Sequence, residues 1–120
     1  MDKRILVVDD ENDILEILEL ILSEEGYKVA TSPTAEGILD KIEAIKPDLI
    51  LMDVDIGEED GRKICSVIKA NAKTHDIPVI MISAYSSIAD TVQEAGAEDF
   101  IPKPFSIYTL IDHIERQLAA

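Results

Sequence analysis

Two hydrophobic patterns alternate along this chain. The first is a short unbroken apolar run: Ile5-Leu6-Val7-Val8, Leu49-Ile50-Leu51-Met52 and Val79-Ile80-Met81-Ile82. Runs this short, bounded by polar residues, read as strands buried on both faces. Two further strands are predicted, a short one at Tyr27–Thr31 and a weaker one at Asp99–Ile101. The full third and fourth strands read as Asp48–Met52 and Ile77–Ile82. The second pattern is helical. Leu15-Leu18-Leu22 and Ile14-Ile17-Ile21 form adjoining rows on a helix from about Asp13 to Glu25, stopped by Gly26. That apolar stripe is wider than a core-facing helix needs; either neighbours cover both rows or one row is open to a partner helix. Ser32-Pro33 reads as the cap and first turn of a second helix carrying Ile38, Ile42 and Ile45. Ile64, Val67 and Ile68 are expected to face inward from a third. A short fourth covers about Ser87 to Ala95, before Gly96. Ser106 caps a fifth, striped by Leu110, Ile111, Ile114 and Leu118.

Five strands alternating with five helices imply a parallel sheet with right-handed crossovers and helices on both faces. No linker or low-complexity segment interrupts the pattern, so residues 1–120 read as one domain. Folds of this type place their chemistry at the carboxyl ends of the strands. Here those ends carry Asp9-Asp10, Asp53, Ser83 and Lys103. If the strands are neighbours, these side chains share one pocket.

Composition narrows the partners. The chain has 120 residues, 47% of them apolar, enough for a real core. Its 11 basic and 25 acidic residues leave a net charge of −14. Such a charge disfavours direct binding to nucleic acid or to an anionic membrane, and favours partners that are cationic or bring a cation. The lone cysteine, Cys65, excludes an internal disulfide and reads as a small buried apolar side chain; a reducing cytoplasm is the expected location. No apolar stretch reaches membrane length, and Met1-Asp2-Lys3-Arg4 lacks the shape of a signal peptide. His75 and His113 have no metal-ligand company and receive no role.

Collected carboxylates repel. At about 4 Å and an effective dielectric near 20, each pair costs on the order of 4 kcal/mol before relaxation. A hard divalent cation removes that cost, and magnesium completes its shell readily with phosphate and water. Asp9, Asp10 and Asp53 therefore point to a Mg²⁺ site that handles phosphate. Lys103 adds a fixed positive charge and Ser83 a hydroxyl, both suited to a phosphoryl group near Asp53. A carboxylate is a known nucleophile in this chemistry and forms an acyl phosphate. Taken singly, each residue has a plainer reading: helix caps for the acids, a turn residue for Ser83, a solvated charge for Lys103.

The landmarks Val7-Val8-Asp9-Asp10-Glu11, Pro47 to Asp53, Asp60-Gly61, Pro78 to Ala84, Gly96 to Phe100 and Lys103-Pro104-Phe105 stand in order over nearly the whole chain. In these the chain resembles the response regulator receiver domain of two-component signalling. The resemblance implies a flavodoxin-like (βα)5 doubly wound fold with strand order 2-1-3-4-5. It implies that Asp53 accepts a phosphoryl group from a phosphohistidine on a sensor histidine kinase or a histidine phosphotransfer protein. Asp10 would bind Mg²⁺ directly, Asp9 mainly through water, Asp53 by its side chain and Asp55 by its main-chain carbonyl. Lys103 would pair with the carboxylate and then with the phosphoryl oxygens. Ser83 would swing to the phosphoryl group while Phe100 rotates inward, and the Lys103-Pro104 peptide would be cis. Docking is expected near Ile14 and Ile17 and near the loop after Lys103. The output surface toward an unknown downstream protein would include Tyr85, Phe105, Ile107 and Tyr108, with Phe105 more buried than Tyr108.

The chain departs from the family pattern after Asp53. Gly57 and Glu59 stand where the family usually has proline and an apolar residue, so a freer loop is expected in the absence of metal. The extra carboxylate of Asp55 is expected to alter the lifetime of the acyl phosphate. Two rival functions remain at this stage. Asp53-Val54-Asp55 also resembles the nucleophile motif of haloacid-dehalogenase-type phosphohydrolases, although the chain is short and lacks a cap domain. A pseudo-receiver that binds partners without being phosphorylated is the other, opposed by the intact set of Asp10, Asp53, Ser83 and Lys103.

Overall fold

The computed structural model describes residues 2–119; Met1 and Ala120, the two ends of the expected domain, lie outside them. Strands β1 (Arg4–Val8), β2 (Lys28–Ser32), β3 (Leu49–Asp53), β6 (Val79–Ser83) and β7 (Asp99–Pro102) form one parallel sheet. Its order is β2-β1-β3-β6-β7. Two short strands, β4 (Asp55–Ile56) and β5 (Glu59–Asp60), make a separate antiparallel hairpin. With the hairpin left out of the count, the order is the expected 2-1-3-4-5. Helices α1 (Asn12–Glu24), α2 (Ile38–Ile45), α3 (Gly61–Ala70), α4 (Ala89–Glu94) and α5 (Ile107–Ala119) cover both faces, with a turn of 3₁₀ helix at Ser86–Ile88.

Strand alternation splits the core in two. On one face Leu6, Val8, Ile50, Met52 and Met81 pack against Ile38 and Ile42 of α2, Cys65 and Ile68 of α3, and Val92 of α4. On the other, Ile5, Val7, Leu49, Leu51, Ile80, Ile82 and Ile101 meet Leu15, Leu18 and Leu22 of α1 and Leu110 and Ile114 of α5. β3 is buried along its whole length, Asp53 included. Each such Leu or Ile contributes about 1.5–3 kcal/mol by leaving water. This apolar frame supports a polar rim at its carboxyl end.

Two expectations are corrected. Helix α2 starts at Ile38 and not after Ser32-Pro33, because Gly37 at φ 65° breaks the approach. Ser32 instead ends β2, buried, donating to the carbonyl of Thr34 at 2.6 Å and accepting from Lys41 Nζ at 2.6 Å. Val67 is 47% exposed. Helix α3 begins at Gly61, and the row Gly61-Cys65-Ile68 takes the inner face. His113, given no role from sequence, brings Nδ1 to 2.6 Å from Asp99 Oδ2 and joins α5 to β7. The expected capping does hold at Ser106, whose Oγ accepts from the amide of Thr109 at 3.1 Å.

Candidate functional site

The chain leaves β1 through Asp9, whose Oδ1 accepts from the amide of Glu11 at 2.9 Å in a tight turn. The N-cap of α1 is then Glu11, with no side-chain capping bond. Asp53 repeats this device at the end of β3: its Oδ1 accepts from the amide of Asp55 at 2.8 Å. Register does the rest. β1 and β3 are adjacent, with Val8 beside Met52, so the next residues of each, Asp9 and Asp53, come together. From the other side, the amide of Lys103 donates to the Ser83 carbonyl at 2.8 Å, and the Lys103 ammonium hydrogen-bonds Asp53 Oδ2. The same ammonium stands 3.9 Å from Asp9 Oδ2. The Lys103-Pro104 peptide is cis.

Asp9 and Asp53 are both buried. Burial, then the negative charge of Asp53, pushes the Asp9 carboxyl up to about 6, and the Glu11 amide and Lys103 only partly offset this. Burial alone would lower Lys103; its hydrogen bond to Asp53 and the charges of Asp53 and Asp9 outweigh that and raise it. Two buried carboxylates thus share one ammonium, an excess of negative charge in a low-dielectric rim.

Asp10 is exposed, and its Oδ2 accepts from the amide of Gly57 at 3.0 Å. That contact ties the β4–β5 hairpin across the mouth of the site. Gly57 opens the two-residue turn at φ 59°, the left-handed setting that short hairpin turns demand at this position. The hairpin was not foreseen, since strands of two residues are too short for any period to show, although Ile56 of β4 is buried. Asp55 lies on it with its side chain exposed. Asp9, Asp10 and Glu11 can bring one oxygen each within 4.8 Å of one another. Glu11 was not singled out as a ligand from sequence, where it stands only as the last residue of the landmark run Val7 to Glu11. An all-oxygen donor set of carboxylates, with a buried acid held well above its usual pKa, suits a hard divalent cation such as Mg²⁺.

Ser83 is buried at the end of β6, and its Oγ accepts from the amide of Tyr85 at 3.0 Å. Phe100, on β7, is half-buried against the α2–α3–α4 side of the core. Beside the acidic rim, an apolar groove of about 610 Å³ is lined by Ile14, Ile17, Ile21, Pro104, Phe105 and Ile107, with Asp9 and Lys103 at its edge. Ile17 is 52% exposed. Tyr85 and Tyr108 lie outside this groove, 61% and 87% exposed, whereas Phe105 is half-buried. The six expected contact residues therefore divide into a groove set, Ile14, Ile17, Phe105 and Ile107, and a separate tyrosine set, Tyr85 and Tyr108.

A family profile described as the response regulator receiver domain matches residues 5–115. The chain belongs to the response regulator receiver family. It is similar to a response regulator from Chloroflexus aurantiacus J-10-fl, at 30% identity over all of both chains with a TM-score of 0.93. The receiver domain of NtrX from Brucella abortus is 38% identical, over 97% of this chain and 98% of that one, with a TM-score of 0.87. The signal receiver domain of a signal transduction histidine kinase from Syntrophus aciditrophicus is 32% identical, over 98% and 90% of the two chains, at 0.88. Receiver domains serve two-component signalling as phosphoacceptors. They are signalling domains and not classical enzymes, they bind Mg²⁺ at an acidic pocket, and they work with histidine kinases or phosphotransfer proteins. No helix among the described residues is long and apolar enough to cross a membrane.

Proposed function

We propose that residues 1–120 act as one receiver whose phosphoacceptor is Asp53, and that phosphorylation changes the surface it offers to a partner. The observation that carries this is the Lys103 ammonium on Asp53 Oδ2, with buried Asp9 3.9 Å from the same nitrogen. Asp53 Oδ1 is occupied by the Asp55 amide and Oδ2 by Lys103, which fixes the carboxylate plane before substrate arrives. An oxygen of Asp53 attacks the phosphorus of a phosphohistidine. The P–N bond breaks, and its electron pair goes to the imidazole nitrogen, which takes up a proton. Lys103 then follows the negative charge to the phosphoryl oxygens, and Ser83 exchanges the Tyr85 amide for one of them.

Asp9, Asp10 and Asp53, with the main-chain carbonyl of Asp55, are the groups that would hold Mg²⁺. The chemistry it supplies when bound is neutralisation of these carboxylates and of the arriving phosphoryl oxygens. With Ser83 displaced, Phe100 moves into the space it leaves. The equilibrium shifts by no more than the difference in interaction free energy between the two arrangements. The groove containing Ile14, Ile17 and Phe105 is the docking face for the phosphodonor, and the Tyr85 and Tyr108 face is the output.

Intact mass after incubation with acetyl phosphate tests this reading. A phosphoryl adduct that requires Mg²⁺ and disappears in Asp53→Asn is expected. No adduct under any condition would leave a pseudo-receiver, and sustained turnover of a small phosphate ester would favour a phosphohydrolase. Asp55→Asn is expected to change the decay rate of the adduct without preventing its formation.

A further inference from the structure

Helix α3 starts where the acceptor loop ends, and three consecutive residues bind the two together. Asp60 faces Asp55 across the hairpin and caps α3, its Oδ1 accepting from the amide of Arg62 at 2.9 Å. Gly61 donates its amide to the Val54 carbonyl at 2.6 Å, and any Cβ there would stand 2.4 Å from the main-chain oxygen of Asp53. Arg62 folds its guanidinium back onto Asp60, Nε to Oδ1 at 2.9 Å and Nη2 to Oδ2 at 2.7 Å. Its remaining arm, Nη1, donates to Thr91 Oγ1 on α4 at 2.9 Å. Thr91 Oγ1 in turn donates to the carbonyl of Ile88 at 2.7 Å. One guanidinium thus joins chain packed against the acceptor backbone to the helix that follows Ser83.

We propose that Arg62 is a positioning residue that transmits the state of the acceptor loop to α4. This rests on the reading of Asp53 as phosphoacceptor. The bidentate pair with Asp60 is charge-assisted and planar, so it fixes the direction of the third arm. Asp60 moves with the hairpin, and the hairpin hangs on Asp53 through the Asp55 amide and on Asp10 through the Gly57 amide. A change at Asp53 therefore turns the fork, and the bond to Thr91 forms in one arrangement of the loop and not in the other. That difference is what a population shift at α4 needs. The route is separate from Ser83 and Phe100. A lysine at position 62 keeps the charge opposite Asp60 but lacks the rigid second arm.

The test combines intact mass, after acetyl phosphate and Mg²⁺, with amide NMR shifts on adding beryllofluoride and Mg²⁺. Wild type, Arg62→Lys, Thr91→Val and Thr91→Ser are compared. All four are expected to gain the phosphoryl adduct equally and to show the same response at Ser83 to Tyr85. The response at Thr91 and Val92 is expected to fall at least twofold in Arg62→Lys and Thr91→Val, and to return in Thr91→Ser, which restores the hydroxyl. A full α4 response in Arg62→Lys or Thr91→Val overturns the proposal. So does loss of the adduct in either, which would place Arg62 in the acceptor chemistry. A wild type that gains no adduct fails the phosphoacceptor reading itself; an adduct with undiminished α4 response in the variants fails only the role of Arg62.

Discussion

The two ends of the central sheet handle charge in opposite ways. At the amino ends of β6 and β7, Lys69 Nζ donates to the carbonyls of His75 at 3.2 Å and Ile77 at 2.7 Å and pairs with Glu98 at 2.7 Å. Glu98 Oε1 also accepts from the amide of Val79 at 2.8 Å. One cation meets one anion, and each finds further partners. At the carboxyl ends, Asp9 and Asp53 compete for Lys103 while Asp10 and Glu11 crowd the rim. The first end is electrostatically closed and adds to stability. The second carries unbalanced negative charge, which an added cation or a proton on Asp9 relieves. Stability held at one end leaves the other free to be strained for function.

This contrast can be broken from either side. The largest effect is expected at the closed end. Lys69→Met strands Glu98 and two carbonyls in a partly buried setting, a loss of about 2–3 kcal/mol in urea unfolding. Acetyl phosphate should still label the folded protein.

Next comes Asp9→Asn, with the opposite sign. A carboxyl raised to about 6 in the folded protein holds its proton more tightly there than in the unfolded chain. The cost of ionising it is absent below about pH 4, the range of an unperturbed aspartate, and grows as pH rises through about 6. Metal-free Asp9→Asn should therefore be more stable than wild type by about 2–3 kcal/mol at pH 8, the gap shrinking to well under 1 kcal/mol by about pH 4. Adding Mg²⁺ at pH 8 should narrow the gap by stabilising wild type more. An unchanged gap would mean that the excess charge is not relieved by this ion.

Gly61→Ala should cost roughly 1–2 kcal/mol, because its methyl must push the Asp53 carbonyl aside. Slower labelling by acetyl phosphate should accompany the loss, since the displaced backbone carries Asp53, the acceptor proposed above. The smallest effect is expected for His113→Asn, which weakens a partly exposed pair with Asp99. A change below about 1 kcal/mol and unaltered labelling are expected.

The apolar runs were enough to read the three central strands, because burial on both faces leaves no other place for Leu49 to Met52, and their alternation with helical stripes gave the layered sheet. They also put Asp9, Asp53, Ser83 and Lys103 at one rim, since parallel strands end on the same side. The sequence was less informative where packing, not periodicity, decided the outcome. Val67 satisfies a helical apolar pattern, yet the start of α3 at Gly61 turns Cys65 inward and Val67 out. Ser32-Pro33 looks like a helix cap, yet Gly37 delays α2. The β4–β5 hairpin, two residues a side with Ile56 as its buried apolar residue, is too short to show a period.

By itself, then, the sequence determined the layer architecture and that Asp9, Asp10, Asp53, Ser83 and Lys103 gather at one rim, because hydrophobic period and strand polarity are local properties of the chain. Only the tertiary structure decided which carboxylates share the Lys103 ammonium, which side chains line the apolar groove, and that Arg62 reaches Thr91. Those depend on distances between elements far apart in sequence, and no local pattern encodes them.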